Sequence, residues 1–326
     1  MLVRGVRIGL CGTDHEINEG YYGSAPPGSD ALVLGHESLG RVVRGGADLP
    51  DGTLVVGIVR RPDGCPNCAR GQQDMCLWGD FTERGIGGLH GFGSEWWVER
   101  PEYVVAIPER LADGGVLLEP LTVVEKVVRH AFRIQGRAHW EPKRALVAGA
   151  GPIGILGAVL LRLGGLAVTV FERTEKPERR ELLGRIGAGY AATQATPLDE
   201  IVAGAGPVDM AIEATGNAGV AFTLMQHLGT NGVLGLTSVS GGDATAEVPV
   251  ARVNRGLVLG NKVVFGSVNA NRADFEQGVR DLGEAERRWP GFLATLITAR
   301  VPLADAAPAV THDPRQIKVV VELGGA

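Results

Sequence analysis

Cysteine, histidine and glutamate occur in three short segments that could together bind a metal ion: GLCGTDHE, LVLGHE and LLEP. Cys11 follows one strand pattern, His36 and Glu37 end a second, and Glu119 lies in the third segment. Zinc accepts thiolate, imidazole and carboxylate ligands, and a catalytic zinc keeps three protein ligands and one open position. We predict a catalytic zinc site with Cys11 and His36 as its firm pair of ligands.

Two carboxylates, Glu37 and Glu119, are candidates for the third ligand of this site. Neighbouring residues on a regular strand point to opposite faces, so Glu37 can join His36 only where the backbone turns. Glu37 is then a ligand or an exchanging group beside the metal, and Glu119 is the other candidate. Taken separately, Cys11 is as well explained as a small buried hydrophobic residue, because most free cysteines are of that kind.

A second group of cysteines lies in the segment RRPDGCPNCARGQQDMC. Cys65 and Cys68 form a C-x2-C knuckle, and Cys76 follows after seven intervening residues. A closed structural zinc site needs four ligands, so three thiolates leave one place to fill. Asp63 or Asp74 can supply an oxygen, a water molecule can complete the tetrahedron, or the site is vacant. We favour a structural zinc that is weakly held or partly occupied.

The segment GAGPIG carries a G-x-G-x-x-G motif made of Gly149, Gly151 and Gly154, with Pro152 and Ile153 between the last two glycines. The motif follows the strand pattern RALVAG and opens a helical pattern, which is the context it requires. The three glycines serve a tight turn, a close approach to pyrophosphate and helix–strand packing. Free N–H groups at the helix start favour phosphates. We predict a dinucleotide site rather than a turn that binds nothing.

The next strand pattern ends in FERTEK, which bears on the choice of cofactor. Glu172 lies 23 residues after Gly149, where an acidic residue accepts hydrogen bonds from ribose hydroxyls and favours NAD. Arg173 follows it and is suited to the 2′-phosphate of NADP. The charged run is equally explained as a solvated helix start. We favour NAD slightly, and the use of both cofactors is the alternative.

The elements around these motifs change character along the chain. Up to about Pro108 the pattern is short strands and turns, and residues 117–132 have helical apolar spacing. From 144 to 268 strand and helix patterns alternate, which predicts an α/β unit with a doubly wound parallel sheet. The tail contains a helical pattern at 272–288 and a final strand pattern at 317–323.

Composition excludes several classes of function. The chain has 326 residues, enough for about two domains, and its net charge is −5 without a basic stripe, so we expect no nucleic-acid partner. Its most apolar stretch, 152–171, contains Arg162 and two glycines, which argues against a membrane span. The first residues lack the apolar core of a signal peptide, and the cysteine spacing suits a reducing compartment. We expect a cytoplasmic protein.

The motifs occur in the order typical of the zinc-dependent medium-chain dehydrogenases/reductases, and the chain resembles that family over its whole length. Further stretches resemble its glucose (aldose) 1-dehydrogenase branch: VRRPDG, TERGI, HGFGSEWW, LLEPL, EATG and GSVNANR. The resemblance implies a GroES-like β-barrel catalytic domain at 1–130, a Rossmann domain at 131–268, and a C-terminal return at 269–326 that completes the catalytic domain.

The sequence departs from the family pattern in two places. Family members usually carry a further segment before the strand that begins here, so we expect a catalytic domain that is short at its N-terminus, by truncation or by a reduced barrel. The family's cysteine pattern is C-x2-C-x2-C-x7-C, and its first cysteine falls here on Pro62, which cannot bind metal.

The resemblance also implies roles for individual residues. Cys11 and His36 become zinc ligands with Glu37 beside them, and Glu119 stands close to metal and sugar. Thr13 becomes the hydroxyl that relays the substrate proton.

Sugar and cofactor contacts follow from the same resemblance. Glu83 and Asn269 stand where the branch contacts sugar hydroxyls, although taken alone one is explained as a loop carboxylate and the other as a turn residue. Thr215 and Gly216 are implied to lie against the cofactor, and Asn269 is placed there as well.

These inferences predict a zinc-dependent NAD(P)+ oxidoreductase that oxidises the C1 hydroxyl of an aldose, with glucose favoured, to the lactone. One alternative is a zinc-dependent polyol or secondary-alcohol dehydrogenase of the same family. Another, of a different class, is a catalytically weak nucleotide-binding relative. The resemblance implies a small-molecule sugar substrate and a homodimer or homotetramer. From the composition we expect no membrane partner.

Overall fold

The computed structural model describes residues 1–241, 245–311 and 313–324, and the chain divides into two compact units. The first comprises residues 1–122 together with the described residues from 269 onward, and the second comprises Val123–Val268. Within the described residues, no helix has the length and apolar character needed to cross a membrane.

The first unit begins with short strands, as the punctuated pattern predicts. Its elements up to residue 107 are β1 (Leu2–Leu10), α1 (Gly12–Asn18), β2 (Glu37–Arg44), β3 (Leu54–Gly57), β4 (Arg60–Arg61), β5 (Thr82–Arg84), β6 (Gly88–Leu89), β7 (Trp96–Val98) and β8 (Val104–Ile107). Helix α2 (Leu118–Gln135) begins in this unit and continues into the second.

The second unit alternates strand and helix. Its elements are β9 (Arg144–Ala148), α3 (Pro152–Leu163), β10 (Ala167–Glu172), α4 (Pro177–Arg185), β11 (Gly189–Ala192), α5 (Leu198–Ala205), β12 (Val208–Glu213), α6 (Ala218–His227), β13 (Leu228–Leu236), α7 (Val250–Leu259) and β14 (Val263–Gly266). All neighbouring strands are parallel, in the order β11-β10-β9-β12-β13-β14. This is the doubly wound arrangement, in which ligands bind where the strand order reverses, at β9 and β12.

The chain then returns to the first unit. The returning elements are α8 (Arg272–Arg288), α9 (Phe292–Thr295), β15 (Ile297–Pro302), α10 (Ala306–Ala309) and β16 (Lys318–Glu322). Strand β16 pairs antiparallel with β1, with Leu10 opposite Val319. The resulting sheet has the order β15-β16-β1-β2-β3-β8, and β7 also pairs with β1.

Apolar side chains from both ends of the chain form the core of the first unit. Val3 and Ile8 of β1 pack with Val321 of β16, and the rings of Phe92 and Trp97 meet edge to face at 4.8 Å between centroids. Burial of this kind stabilises by roughly 1.5–3 kcal/mol per large side chain. It therefore anchors β1 and β16 side by side, at the ends that carry Cys11 and Lys318.

Candidate active site and structural metal cluster

Cys11 lies at the junction between β1 and α1, where it caps the helix. Its Sγ accepts a hydrogen bond from the Thr13 N–H at 3.3 Å, and its own N–H donates to Asp14 Oδ2 at 3.0 Å. This reciprocal pattern is a capping box, which satisfies N–H groups that a helix start leaves free. The cap holds the thiol at the end of the strand.

His36 lies between the Cys11 thiol and the Asp14 carboxylate. Its Nε2 is 3.3 Å from Cys11 Sγ, and its Nδ1 is 3.5 Å from Asp14 Oδ1. Both His36 and Asp14 are buried. Burial opposes protonation of His36, but the charges of Cys11 and Asp14 outweigh it and raise the pKa of the imidazole well above its usual range. The same ion pair lowers the pKa of Asp14 against the opposing effect of burial.

Glu37 and Glu119 also lie close to His36. One ligand atom from each of these three residues falls within 4.8 Å of the others, and the same is true of Cys11, Asp14 and His36. Burial raises the pKa of Glu119 to about 7, with His36 opposing the shift and Glu37 adding to it. His36 therefore belongs to two groups of donors, one that contains the Cys11 thiol and one that contains two carboxylates. Thiol, imidazole and carboxylate are the ligand types that zinc accepts.

Glu37 is engaged by Lys318 from β16. Lys318 Nζ donates to Glu37 Oε1 at 2.7 Å and to Oε2 at 2.6 Å, and also to the Leu10 carbonyl at 3.2 Å. Both side chains are almost fully buried, at 1% and 2% exposure. Gly9 makes the room, since a Cβ there would lie 2.0 Å from Glu37 Oε2.

Two of these residues have no place in the sequence predictions. Asp14 could have been recognised, because it lies three residues after Cys11 in the spacing of a capping box. Lys318 could not, because it lies 281 residues from Glu37 in the chain and no local pattern connects them.

Thr13 lies two residues after Cys11, in the first turn of α1, and its side chain is close to Tyr22. Tyr22 lies close to the side chains of Thr13 and Glu16. Burial raises the pKa of Tyr22, the Thr13 contact opposes that rise, and the Glu16 charge adds to it. Because Tyr22 is 44% exposed, this chain of hydroxyls leads from Thr13 towards solvent.

Glu83 and Asn269 lie in contact in the first unit. Asn269 Nδ2 donates to Glu83 Oε1 at 2.7 Å, and Arg60 Nε donates to the same oxygen at 3.0 Å. Asn269 has φ 58°, a left-handed conformation that asparagine tolerates better than most residues. Arg60 is buried against the Phe81 ring, 3.7 Å from its centroid. Arg60 is a further residue for which the sequence predicted no role.

The four residues of the cysteine segment converge as well. Asp63, Cys65, Cys68 and Cys76 each place a ligand atom within 4.8 Å of the others. Asp63 Oδ2 is 2.7 Å from Cys76 Sγ, and the sulfurs of Cys65 and Cys76 are 3.9 Å apart. Asp74 points elsewhere, since its Oδ1 accepts a hydrogen bond from Asn271 at 3.0 Å.

The charges and the burial of Asp63 and the three cysteines are those expected of metal ligands. The hydrogen bond from Cys76 holds the pKa of Asp63 below its usual range. Burial raises the pKa of Cys68 to about 12, so its thiolate form is costly unless a cation compensates. Backbone N–H groups of Cys68 and Leu77 point at Cys65 Sγ at 3.4 and 3.3 Å, as they do around thiolates. The donor set of three thiols and one carboxylate fits zinc.

The glycine motif has the geometry that its pattern predicts. Gly149 has φ 98°, and a Cβ there would lie 2.7 Å from the Ala214 carbonyl oxygen. A Cβ on Gly154 would lie 1.9 Å from the Gly149 carbonyl oxygen, whereas Gly151 faces open space. Helix α3 begins at Pro152 with Gly151 as its N-cap. The backbone of Gly151 can therefore approach a phosphate closely.

Thr215 and Gly216 follow β12, the strand beside β9. The backbone N–H and hydroxyl of Thr215 donate to Glu213 Oε1, at 2.6 and 2.5 Å. Gly216 has φ 72°, a left-handed conformation. Both residues thus lie at the carboxyl end of the parallel sheet, the edge at which doubly wound folds bind ligands.

The carboxylate of Glu172, at the end of β10, already has two donors. Tyr190 donates its hydroxyl proton to Oε1 at 2.7 Å, and Lys176 Nζ lies 2.8 Å from Oε2. Burial and the Glu172 contact raise the pKa of Tyr190. Arg173 is exposed. The acidic residue is thus held in place and its charge is balanced by Lys176, which the sequence pattern did not reveal.

Comparison with known proteins defines the class first. Residues 1–109 match the family model described as "Alcohol dehydrogenase GroES-like domain", and residues 112–323 match "Glucose dehydrogenase C-terminus". The solved structure of Haloferax mediterranei glucose dehydrogenase, in complex with NADP, Zn and gluconolactone, is 34% identical with a TM-score of 0.91. That similarity covers all of this chain and 92% of that one. The fold is that of the zinc-dependent medium-chain dehydrogenases/reductases.

Curated relatives narrow the class to one family. The glucose 1-dehydrogenase of Methanocella arvoryzae is 44% identical over 99% of this chain and 92% of the relative. That of Halobacterium salinarum is 40% identical over 99% of this chain and 91% of the relative. The chain belongs to the glucose 1-dehydrogenase family. The predicted fold class, family and activity, that of a zinc-dependent NAD(P) aldose dehydrogenase, are confirmed.

Proposed function

We propose that Cys11, His36 and Glu119 hold the catalytic zinc at which the C1 hydroxyl of an aldose, glucose foremost, is oxidised to the lactone. The observation that carries this assignment is the 3.3 Å approach of Cys11 Sγ to His36 Nε2, with Glu119 gathered on the same imidazole. Asp14 beside Nδ1 favours the ring orientation that leaves Nε2 for a metal, as outer partners of ligating histidines commonly do.

The Lys318 contact with Glu37 supports Glu119 as the third ligand. Because the Lys318 ammonium group takes both oxygens of Glu37, Glu37 is held beside the zinc position and Glu119 is the favoured third ligand. Lys318 also offsets part of the negative charge that the Cys11 thiolate, Asp14, Glu37 and Glu119 bring together. Without a counter-charge, such a cluster of buried anions is strongly unfavourable.

Proton removal follows from the position of Thr13. When bound, zinc supplies the Lewis acidity that lowers the pKa of the sugar hydroxyl. The Thr13 hydroxyl accepts the proton released from O1 and passes a proton towards solvent by way of Tyr22, a partly exposed residue close to Thr13. The cofactor, when bound, would supply the nicotinamide ring that accepts the hydride from C1.

Sugar recognition rests on Glu83 and Asn269. Together they present a carboxylate and an amide, which can accept from and donate to neighbouring sugar hydroxyls. Arg60 fixes the Glu83 carboxylate through its Nε. Polar sites of this kind discriminate strongly, because the wrong substrate leaves their groups unpaired.

Cofactor choice rests on Glu172, Lys176 and Arg173. Glu172 retains lone pairs for ribose hydroxyls, which favours NAD, while Lys176 balances its charge and reduces repulsion of a 2′-phosphate. Arg173 is exposed and free to approach that phosphate. The similarity to the Haloferax enzyme in complex with NADP supports use of this cofactor as well. We therefore propose that the chain uses both.

The proposed function is tested by removing the zinc ligands one at a time. We expect Cys11→Ala and His36→Ala to lower glucose-dependent NAD(P)H formation by more than about 100-fold, since even the outer partners of metal ligands are worth 10–100-fold. Zinc content and NADP+ affinity are measured on the same samples. Unchanged turnover in either variant would overturn the zinc assignment, whereas cofactor binding with negligible turnover of the wild-type chain would favour the catalytically weak alternative.

A substrate panel distinguishes an aldose dehydrogenase from a polyol or secondary-alcohol dehydrogenase. Glucose, galactose and xylose are compared with sorbitol, threonine and simple alcohols, each with NAD+ and NADP+. A higher kcat/KM for the aldoses is expected. Preference for sorbitol or a simple alcohol would overturn the aldose assignment.

Assembly and location are the remaining parts of the proposal. A homodimer or homotetramer is supported by membership of the family, and light scattering measures the mass. A cytoplasmic location is supported by four unpaired cysteines, of which three lie in a metal-type cluster.

A further inference from the structure

A cavity of about 570 Å³ opens on the surface of the first unit, beside α8. Its lining is rich in charged side chains and comprises Arg110, Arg280, Gly283, Glu284, Glu286 and Arg287. We call it the arginine cavity. None of the residues assigned above to zinc, sugar or proton transfer belongs to it, and its volume is that of a small-molecule site.

The acidic residues of the arginine cavity are already engaged. Glu284 binds Arg287 through both of its oxygens, one of them at 2.8 Å from Nε. Glu286 Oε1 accepts a hydrogen bond from the Gly291 N–H at 2.8 Å. Arg287 is therefore balanced by Glu284, and Glu286 is turned towards the backbone after α8.

The other two arginines have no acidic partner among the residues that the structure describes. Arg280 donates from Nε and Nη2 to the neutral amide oxygen of Gln277, at 3.1 and 2.5 Å. Gln277 in turn donates to Asp281 at 2.7 Å, which fixes the amide. Arg110 makes no hydrogen bond or ion pair with any described residue. Two guanidinium groups thus line one cavity with no carboxylate in ion-pair distance among the described residues.

Gly283 shapes the space between them. It is buried in the interior of α8, where glycine is the least favourable residue after proline. A Cβ at this position would lie 3.0 Å from Arg110 Nη2. The glycine therefore lets the guanidinium of Arg110 lie against the helix at the floor of the cavity.

We propose that the arginine cavity binds the phosphate group of a small phosphorylated metabolite through Arg110 and Arg280. The guanidinium group is planar and presents paired N–H donors that match phosphate oxygens, and two such groups balance a dianion. The volume of the cavity suits a small ligand, and the net charge of −5 argues against a nucleic acid.

The test measures binding of inorganic phosphate by isothermal titration calorimetry. Saturating NADP+ fills the dinucleotide site, and ionic strength is held constant with sodium chloride. We expect one phosphate per chain, weakened at least about tenfold in Arg110→Ala and in Arg280→Ala, because a charge-assisted bidentate contact is lost. Arg110→Lys keeps the charge without the paired donors, so its affinity for phosphate should lie between those of the wild-type chain and Arg110→Ala. Gly283→Ala should weaken binding by displacing Arg110.

Arg300→Ala is the matched control. Arg300 is a half-exposed arginine of the same unit that pairs with Glu322, so its removal changes the net charge equally without touching the cavity. Binding in this variant should stay within about twofold. All arginine variants should keep the glucose oxidation rate, which verifies folding. Equal weakening in Arg300→Ala, no binding by the wild-type chain, or equal affinity for succinate would each overturn the proposal.

Discussion

Lys318 and Glu37 form a fully buried ion pair beside the predicted catalytic metal site, with Nζ 2.6 Å from Oε2. The pair joins β16 to the first residue of β2 through the intervening β1. Because Lys318 also donates to the Leu10 carbonyl, it holds together the backbone before Cys11 and the carboxylate after His36. A residue near the C-terminus thus positions the predicted ligands near the start of the chain.

Replacing Lys318 by methionine should destabilise the protein and alter the metal site. Removing one partner of a buried pair leaves an uncompensated charge, at a cost of about 3–5 kcal/mol in the free energy of unfolding. With zinc present, Glu37 is released and can compete with substrate for the open position, so KM should rise and kcat/KM should fall while zinc is retained.

Denaturant unfolding of the zinc-free protein and X-ray absorption of the zinc-loaded protein measure the two effects. Arg300→Met is the control, because it breaks a pair that is more than one-third exposed on both sides and should cost less than about 1 kcal/mol. A second substitution, Glu37→Gln, should recover part of the stability lost with Lys318. Equal destabilisation by Lys318→Met and Arg300→Met would contradict the assigned role.

Asp63 should be the fourth ligand of a second, more weakly held zinc. The carboxylate oxygen is a harder ligand than thiolate, so we expect one tightly held zinc per chain and a second that chelators remove first. Asp63→Asn should abolish the second zinc, whereas Asp74→Asn should retain it, because Asp74 contacts Asn271 instead. Metal analysis after graded chelation gives the count. Two equally retained zincs, or loss in the Asp74 variant alone, would count against this ligand set.

The Glu172–Lys176 pair should set the ratio of activities with NAD+ and NADP+. Lys176→Met leaves the Glu172 charge uncompensated, so kcat/KM with NADP+ should fall by about tenfold relative to NAD+, in line with a charge contact of roughly 1.4 kcal/mol. Glu172→Gln should shift the ratio the other way. Glu181→Gln, an exposed residue of α4, is the control. An unchanged ratio in both test variants would show that this pair has no part in cofactor choice.

Glu83→Gln should impair glucose oxidation through substrate recognition. The glutamine amide has one accepting oxygen where the carboxylate has two. The Arg60 and Asn269 donors also lose their charged partner. We expect kcat/KM for glucose to fall by about 100-fold or more, because polar groups in a sugar site are left unpaired. NADP+ affinity and zinc content should not change. Glu95→Gln, an exposed carboxylate of the same unit, is the control, and an equal loss there would argue against a specific role for Glu83.

His227 should make the stability of the second unit depend on pH. Burial lowers its pKa in the folded state, against the opposing charge of Asp199. The unfolded chain therefore binds this proton more readily, and stability falls as pH drops through the unfolded value of about 6.5. His227→Gln should reduce the loss of stability between about pH 8 and pH 5. Urea unfolding of the wild-type chain and of His227→Gln at pH 8 and pH 5 measures this change in the free energy of unfolding. An identical pH dependence of the two proteins would refute the assignment.

The sequence by itself determined the features that depend on neighbours along the chain. The alternation of strands and helices, the turn at Gly149 and the close packing at Gly154 follow from backbone sterics and periodicity, so they could be read locally. The ligand types at Cys11, His36 and Cys65 were likewise visible. The capping box between Cys11 and Asp14 could also have been predicted from its local spacing.

Tertiary structure alone decided which charged groups meet. Lys318 reaches Glu37 across 281 residues because β16 pairs with β1, and Asn269 reaches Glu83 across 186. The choice of Asp63 over Asp74 depends on how two short turns of one segment fold onto each other. Such pairings are set by burial, since a buried charge must find its partner wherever packing places one, and sequence distance carries no information about that place.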